Sequence, residues 1–199
     1  MAGVSQFAID DYVVVALFGL FLLRRAYRMT QGVPVSAARL AVMPAFYVLV
    51  YAAELAGTWF AGTATGRAEL TYVGLAADAV LLAVGTWVAH RITTAHVELY
   101  QPAPGGPWYY RLRPLLPVLY VLLFFVRAGI ETAIIGIAPF QFPSAAQFAA
   151  ISPFALYALF TVDALWGLTT GFLIGRSAAV YGAWQRAKRN LPAQAPLSS

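Results

Sequence analysis

Five ionisable residues stand inside strongly apolar stretches: Glu54, Asp78, Arg127, Glu131 and Asp163. At the centre of a bilayer each charge costs at least ~2.5–3.5 kcal/mol on insertion scales, so such residues must face a bundle interior and find partners. Arg127 and Glu131 are four residues apart and share one helix face. A guanidinium stays charged, so four acids are set against one permanent cation. Three carboxylates must therefore be protonated, hydrated or matched by a bound cation. A buried carboxylic acid held neutral by desolvation is the starting point of a proton relay. A structural reading stands beside it: one Arg with several acceptors can clamp helices in register.

The elements that must hold these residues follow from composition. Of 199 residues, 61% are hydrophobic and 11% charged, and the mean hydropathy is +0.71. Soluble domains carry about 25% charged residues, so both disorder and an ordinary soluble fold are disfavoured. Five stretches approach the ~20 apolar residues needed to cross a bilayer as helix. They cover residues 11–27, 40–62, 70–90, 114–138 and 151–175. The expected fold is an all-α polytopic bundle, a single transmembrane domain over residues 1–190. Residues 191–199, with two prolines, read as a disordered tail. The first stretch has Asp10 and Asp11 before it and Arg24 and Arg25 after it, the reverse of a signal peptide, so it reads as a retained helix.

Eleven of the 13 Lys and Arg fall in three segments. Arg24, Arg25, Arg28 and Arg39 follow span one; Arg91, Arg111 and Arg113 follow span three; Arg176, Arg186, Lys188 and Arg189 follow span five. With five spans all three segments lie on one side, and the positive-inside rule makes that side cytoplasmic, with the N-terminus outside. The expected location is the cell membrane, with attraction to anionic lipids. The basic residues form no single stripe, so nucleic acid is not an expected partner.

Depth estimates at ~1.5 Å per residue place all five ionisable residues in the central-to-outer part of the hydrocarbon, at overlapping levels on four helices. That is the arrangement of one convergent site. Gly167, Gly171 and Gly175 form a small-residue ladder on span five, and Asp163 continues the same row. Ala53 and Gly57 make a shorter pair on span two. Such rows let backbones approach closely, within the bundle or across a homo-oligomer seam. Two short β-prone runs, Val97–Tyr100 and Trp108–Leu112, flank Pro102–Pro107 and read as a small cytoplasmic hairpin. Ser177–Arg189 reads as a short amphipathic helix, and Pro44 as a slight bend in span two.

Other chemistry finds little material. There is no cysteine, hence no disulfide, thiol relay or Cys-ligated metal. His90 and His96 are six apart, which is not a same-face helical spacing, so haem ligation is not expected; nor is any other cofactor or metal. No GxSxG, HExxH, P-loop or Gly-rich dinucleotide turn occurs, and the chain does not read as an enzyme.

The stretch Tyr27-Arg-Met-Thr-Gln-Gly-Val-Pro-Val-Ser-Ala-Ala-Arg-Leu-Ala-Val-Met-Pro44 resembles the first cytoplasmic loop of the CcdC-like membrane proteins. Val97–Tyr100, Tyr110–Arg113 and the apolar run reaching Arg127 are similar to that family's hairpin-like segment and its Arg-bearing helix. The resemblance covers about the first two-thirds of the chain, and Arg39, Pro44 and Arg127 are the matched positions. It implies an association with cytochrome c biogenesis, as an assembly or accessory factor of a membrane complex. The residues themselves point first to transport or conduction of protons, cations or a small solute, with Glu54, Asp78 and Asp163 as titrating or cation-binding groups and Arg127 as the fixed countercharge.

Overall fold

Apolar runs of this length and spacing are read out as long helices in the computed structural model, which describes residues 9–130, 145–150 and 152–190. These are α1 (Ile9–Gln31), α2 (Ala37–Ala64), α3 (Ala68–His96), α4 (Leu115–Ile130), α5 (Ala145–Ala150) and α6 (Pro153–Arg189). Three short strands join them: β1 (Val33–Pro34), β2 (Glu98–Tyr100) and β3 (Tyr109–Arg111). Three of the helices, α2, α3 and α6, are long and apolar enough to cross a membrane. The described part of α4 covers the first two-thirds of the expected fourth stretch. The rest, Glu131 included, lies outside the described residues, as does the expected tail 191–199.

α6 is the central element. Most of its apolar window is buried, whereas α2 and α3 keep most of theirs exposed. Their outward faces carry Leu49, Phe60, Val73 and Trp87, each about two-thirds exposed. Water does not tolerate so much contiguous apolar surface, and lipid hydrocarbon does. α6 has 37 residues, a length of about 55 Å, which exceeds a ~30 Å hydrocarbon core. The excess is used: Val180, fully buried, joins Met29, Leu40, Tyr110 and Leu112 in a second core beneath the sheet. The expected separate amphipathic helix Ser177–Arg189 is therefore the continuation of α6. No proline falls within residues 176–189, so nothing stops the helix there.

Glycine sets the closest seam. Gly167, Gly171 and Gly175 lie against the backbone of Asp78, Leu82 and Thr86, so each four-residue step on α6 meets a four-residue step on α3. The two helices run parallel. Gly85 returns the contact from α3 against the Leu168 carbonyl. The ladder is thus occupied inside the chain, and the homo-oligomer seam it also suggested is filled by α3. Ala53 is exposed and Gly57 half-buried, on the outer part of α2.

α2 and α4 run parallel to each other and antiparallel to α6. Tyr47 meets Tyr120 and Glu54 meets Arg127, both pairs separated by 73 residues, and Trp166 of α6 packs edge-on against Tyr47. α1 closes the bundle through Phe18 on Phe124. Pro44 lies within α2 and leaves the helix continuous.

The hairpin forms as β2 against β3, with Glu98 opposite Arg111 and Tyr100 opposite Tyr109. Gly105 holds the turn at φ 73°, a left-handed conformation that suits glycine. The sheet has a third member that the sequence pattern does not announce. β1 pairs with β3, giving the order β1-β3-β2. Pro34 has no N–H to donate, which confines it to such an edge.

Candidate functional site

The buried polar level lies where α2, α3, α4 and α6 meet, away from the sheet. Arg127 is 4% exposed. Its Nη2 donates to Glu54 Oε1 at 3.0 Å, and its guanidinium carbon stands 4.0 Å from the centre of the Trp166 ring. Ion pair and cation–π contact use the two aspects of one planar group, its edge and its face. Helical periodicity explains why they coincide. Two turns below on both helices, Tyr120 donates a hydrogen bond to Tyr47, so the same faces of α2 and α4 are turned together.

Asp163 and Asp78 form the other half. Thr58 donates from Oγ1 to Asp163 Oδ2 at 3.0 Å, across α2 and α6. Asp78 is 2% exposed, and its Oδ1 has no hydrogen-bond partner among the described residues. Asp163 lies within electrostatic reach of it. Tyr51 of α2 is within reach of Asp78, Asp163 and Glu54, and its hydroxyl also borders Gly167. The missing Cβ of Gly167 lets Tyr51 and the α3 backbone approach α6 together. Among the described residues no three His, Asp or Glu converge as a metal ligand set.

The structure therefore brings Glu54 and Arg127 into direct contact and buries Asp78 and Asp163 within electrostatic reach of each other. Glu131 lies outside the described residues. The interior carries groups that the sequence reading did not single out: Thr58, Trp166, and the tyrosines 47, 51 and 120. All lie one or two turns from a named acid or from Arg127, on the same faces. The signal was present as helical spacing, but Tyr and Trp in an apolar stretch read equally as interfacial or lipid-facing residues. Arg176 is a correction. By sequence it belongs to the basic segment after span five, yet it is 8% exposed, and its Nη1 lies 3.2 Å from Met29 Sδ. His90 is exposed, while His96 is half-buried beside a small cavity that Leu112 and Leu116 also line.

Compared with family models, with curated proteins and with solved structures, the chain finds no match in any of the three.

Proposed function

We propose that this chain is a five-span protein of the cell membrane, N-terminus outside and C-terminus cytoplasmic, whose Asp78–Asp163 pair carries an exchangeable proton along a conduction or transport path. One observation carries the reading. Arg127 is engaged by Glu54 and Trp166, while Asp78 is buried, within electrostatic reach of Asp163, with a carboxylate oxygen that no described residue satisfies. Two carboxylates that feel each other's charge out of water favour sharing a proton over two full charges. Tyr51 adds a hydroxyl that borders Gly167 and lies within electrostatic reach of both. In this reading Arg127 is the fixed countercharge that holds Glu54, and Asp78 is the titrating group.

The test is proton flux into liposomes that hold the purified chain, with Asp78→Asn and Asp163→Asn beside wild type and a melting curve for each. Flux in wild type that both variants lose while remaining folded is the expected result. Wild-type protein without flux would sink the reading.

A second reading rests on the same Arg127. Its contacts with Glu54 and Trp166 tie α2, α4 and α6 together, as a structural clamp would. The chain would then serve a membrane complex as a non-transporting assembly or accessory factor, as the CcdC-like resemblance of its first two-thirds suggests. In that case its contacts would run through the small sheet and the basic end of α6. Absence of flux, together with collapse of the fold in Arg127→Leu, would favour it.

A further inference from the structure

A second polar feature stands apart from the acid cluster, at the sheet end of the bundle. A cavity of about 710 Å³ opens between the end of α1 and the start of α2, floored by β1, β3 and α6. Five arginines line it: Arg24, Arg25, Arg28, Arg39 and Arg176. No carboxylate is among the lining residues, and among the described residues none pairs with these five. Four of them come from the segment after α1's apolar run, and Arg176 reaches in from α6.

Arg176 is the group that needs an explanation. It is more than nine-tenths buried, its Nε has no hydrogen-bond partner, and the one acceptor at its Nη1 is the weak thioether of Met29. Arg25, half-buried, lies within electrostatic reach of it with the same sign of charge. Burying one guanidinium beside another is costly unless an anion completes the site. The rest of the lining is apolar, including Phe21, Leu40, Val42 and Met43, and Phe21 and Val42 are at least half exposed on the bundle's outer surface. The cavity therefore joins a ring of phosphate-binding forks to an apolar exit on the face that meets lipid. Water takes about 30 Å³ per molecule, so this volume holds a head group and the start of its chains.

We propose that this cavity binds the phosphate head group of an anionic phospholipid, with Arg25 and Arg176 as the inner contacts and the acyl chains leaving past Phe21 and Val42. Guanidinium recognises phosphate oxygens through paired N–H bonds, which an ammonium cannot reproduce. Basic recesses between membrane helices suit doubly charged lipids in particular. The proposal needs the chain to lie in a membrane and does not depend on proton movement at Asp78.

The experiment is thermal unfolding and native mass spectrometry of the full chain in nanodiscs of phosphatidylcholine, with and without cardiolipin. Arg25→Gln, Arg176→Gln and Arg186→Gln are compared with wild type, and inorganic pyrophosphate is a separate arm. Cardiolipin should raise the melting temperature of wild type and of Arg186→Gln, and remain bound on release from the disc. Each cavity variant should bind it about tenfold more weakly or worse, the loss of one charge-assisted contact. In phosphatidylcholine alone, Arg176→Gln should melt no lower than wild type, because removing a buried charge that faces another of the same sign relieves repulsion. Equal stabilisation by both lipid compositions, or undiminished cardiolipin binding in both cavity variants, would overturn the proposal. So would a lower melting point of Arg176→Gln in phosphatidylcholine, which would make the residue structural. Pyrophosphate that binds as tightly and displaces cardiolipin would reassign the cavity to a soluble phosphate compound.

Discussion

Glu54 and Arg127 meet at 3.0 Å across α2 and α4, and Tyr47 and Tyr120 meet on the same two helices with the same sequence separation. The repeat means that a single helix–helix register delivers both contacts. Parallel helices turned by one constant phase bring residues two turns apart into matching positions. The ion pair is therefore not an isolated accident of side-chain reach. It is held by an aromatic contact nearer the sheet, and Trp166 covers its third side.

Breaking this pair should cost more than deleting it. Arg127→Leu takes from Glu54 the cation it meets in the interior, and the expected loss is about 3–5 kcal/mol. Glu54→Gln with Arg127→Leu should lose less than the two single variants summed. A double-mutant cycle by thermal unfolding in detergent checks this, and additivity would contradict a direct interaction.

The tyrosine pair makes a parallel case with neutral groups. Tyr47→Phe or Tyr120→Phe alone strands one buried hydroxyl, at about 1–3 kcal/mol. The double Phe variant should return close to wild-type stability, since both polar groups are then gone. A double variant less stable than either single one would show that the hydroxyls have other partners.

Gly171 and Gly175 predict a steric phenotype. A side chain at either position enters the backbone of α3 at Leu82 or Thr86. Gly171→Leu should destabilise by about 1–3 kcal/mol or more as the seam is forced apart. Ala53→Leu, on an exposed face, should be near neutral. Comparable losses at both positions would mean that the α3–α6 seam is not the close one.

Asp78→Asn and Thr58→Val separate function from support. Asp78 has a carboxylate oxygen with no partner, so its amide should fold at least as stably. Thr58→Val removes the donor to Asp163 and should cost about 0.5–1.5 kcal/mol, or more if Asp163 is ionised. If Asp78→Asn unfolds the protein, the Asp78 carboxylate has a structural role that the observed contacts do not explain.

The absence of native cysteine gives a clean topology test. Single cysteines at Gln101, in the hairpin, and at Thr65, between α2 and α3, should react with an impermeant thiol reagent from opposite sides of intact cells. Labelling from the same side would overturn the five-span arrangement.

The helices, the buried acids and the hairpin were legible because they depend on local and one-dimensional information. A long apolar run has one low-cost state in hydrocarbon, the helix, since its backbone must satisfy its own hydrogen bonds. A charge inside such a run must turn inward, so Glu54, Asp78, Arg127 and Asp163 could be named as interior before any geometry was known. The glycine row likewise announced a close approach. Its occupant was another matter: either α3 or a second copy satisfies the same spacing, and only the three-dimensional arrangement selected α3.

Pairing was decided by tertiary structure alone. Spacing on α4 puts Arg127 and Glu131, which lies outside the described residues, on one face; that this face meets Glu54 of α2 is decided by the fold. β1 was invisible because two residues carry no periodicity; Val33-Pro34 becomes a strand only because β3 offers it an edge. Arg176 shows the contrast most plainly. By sequence it opens a basic tail, where charge is solvated. In the fold α6 continues past the apolar run, the sheet covers it, and Arg176 is enclosed with Arg25 because two distant segments were brought together. Composition and periodicity determined that helices form and which residues must avoid lipid. Which of those residues meet is a property of helix register and phase, and these are set by packing over the whole bundle rather than by any one stretch of chain.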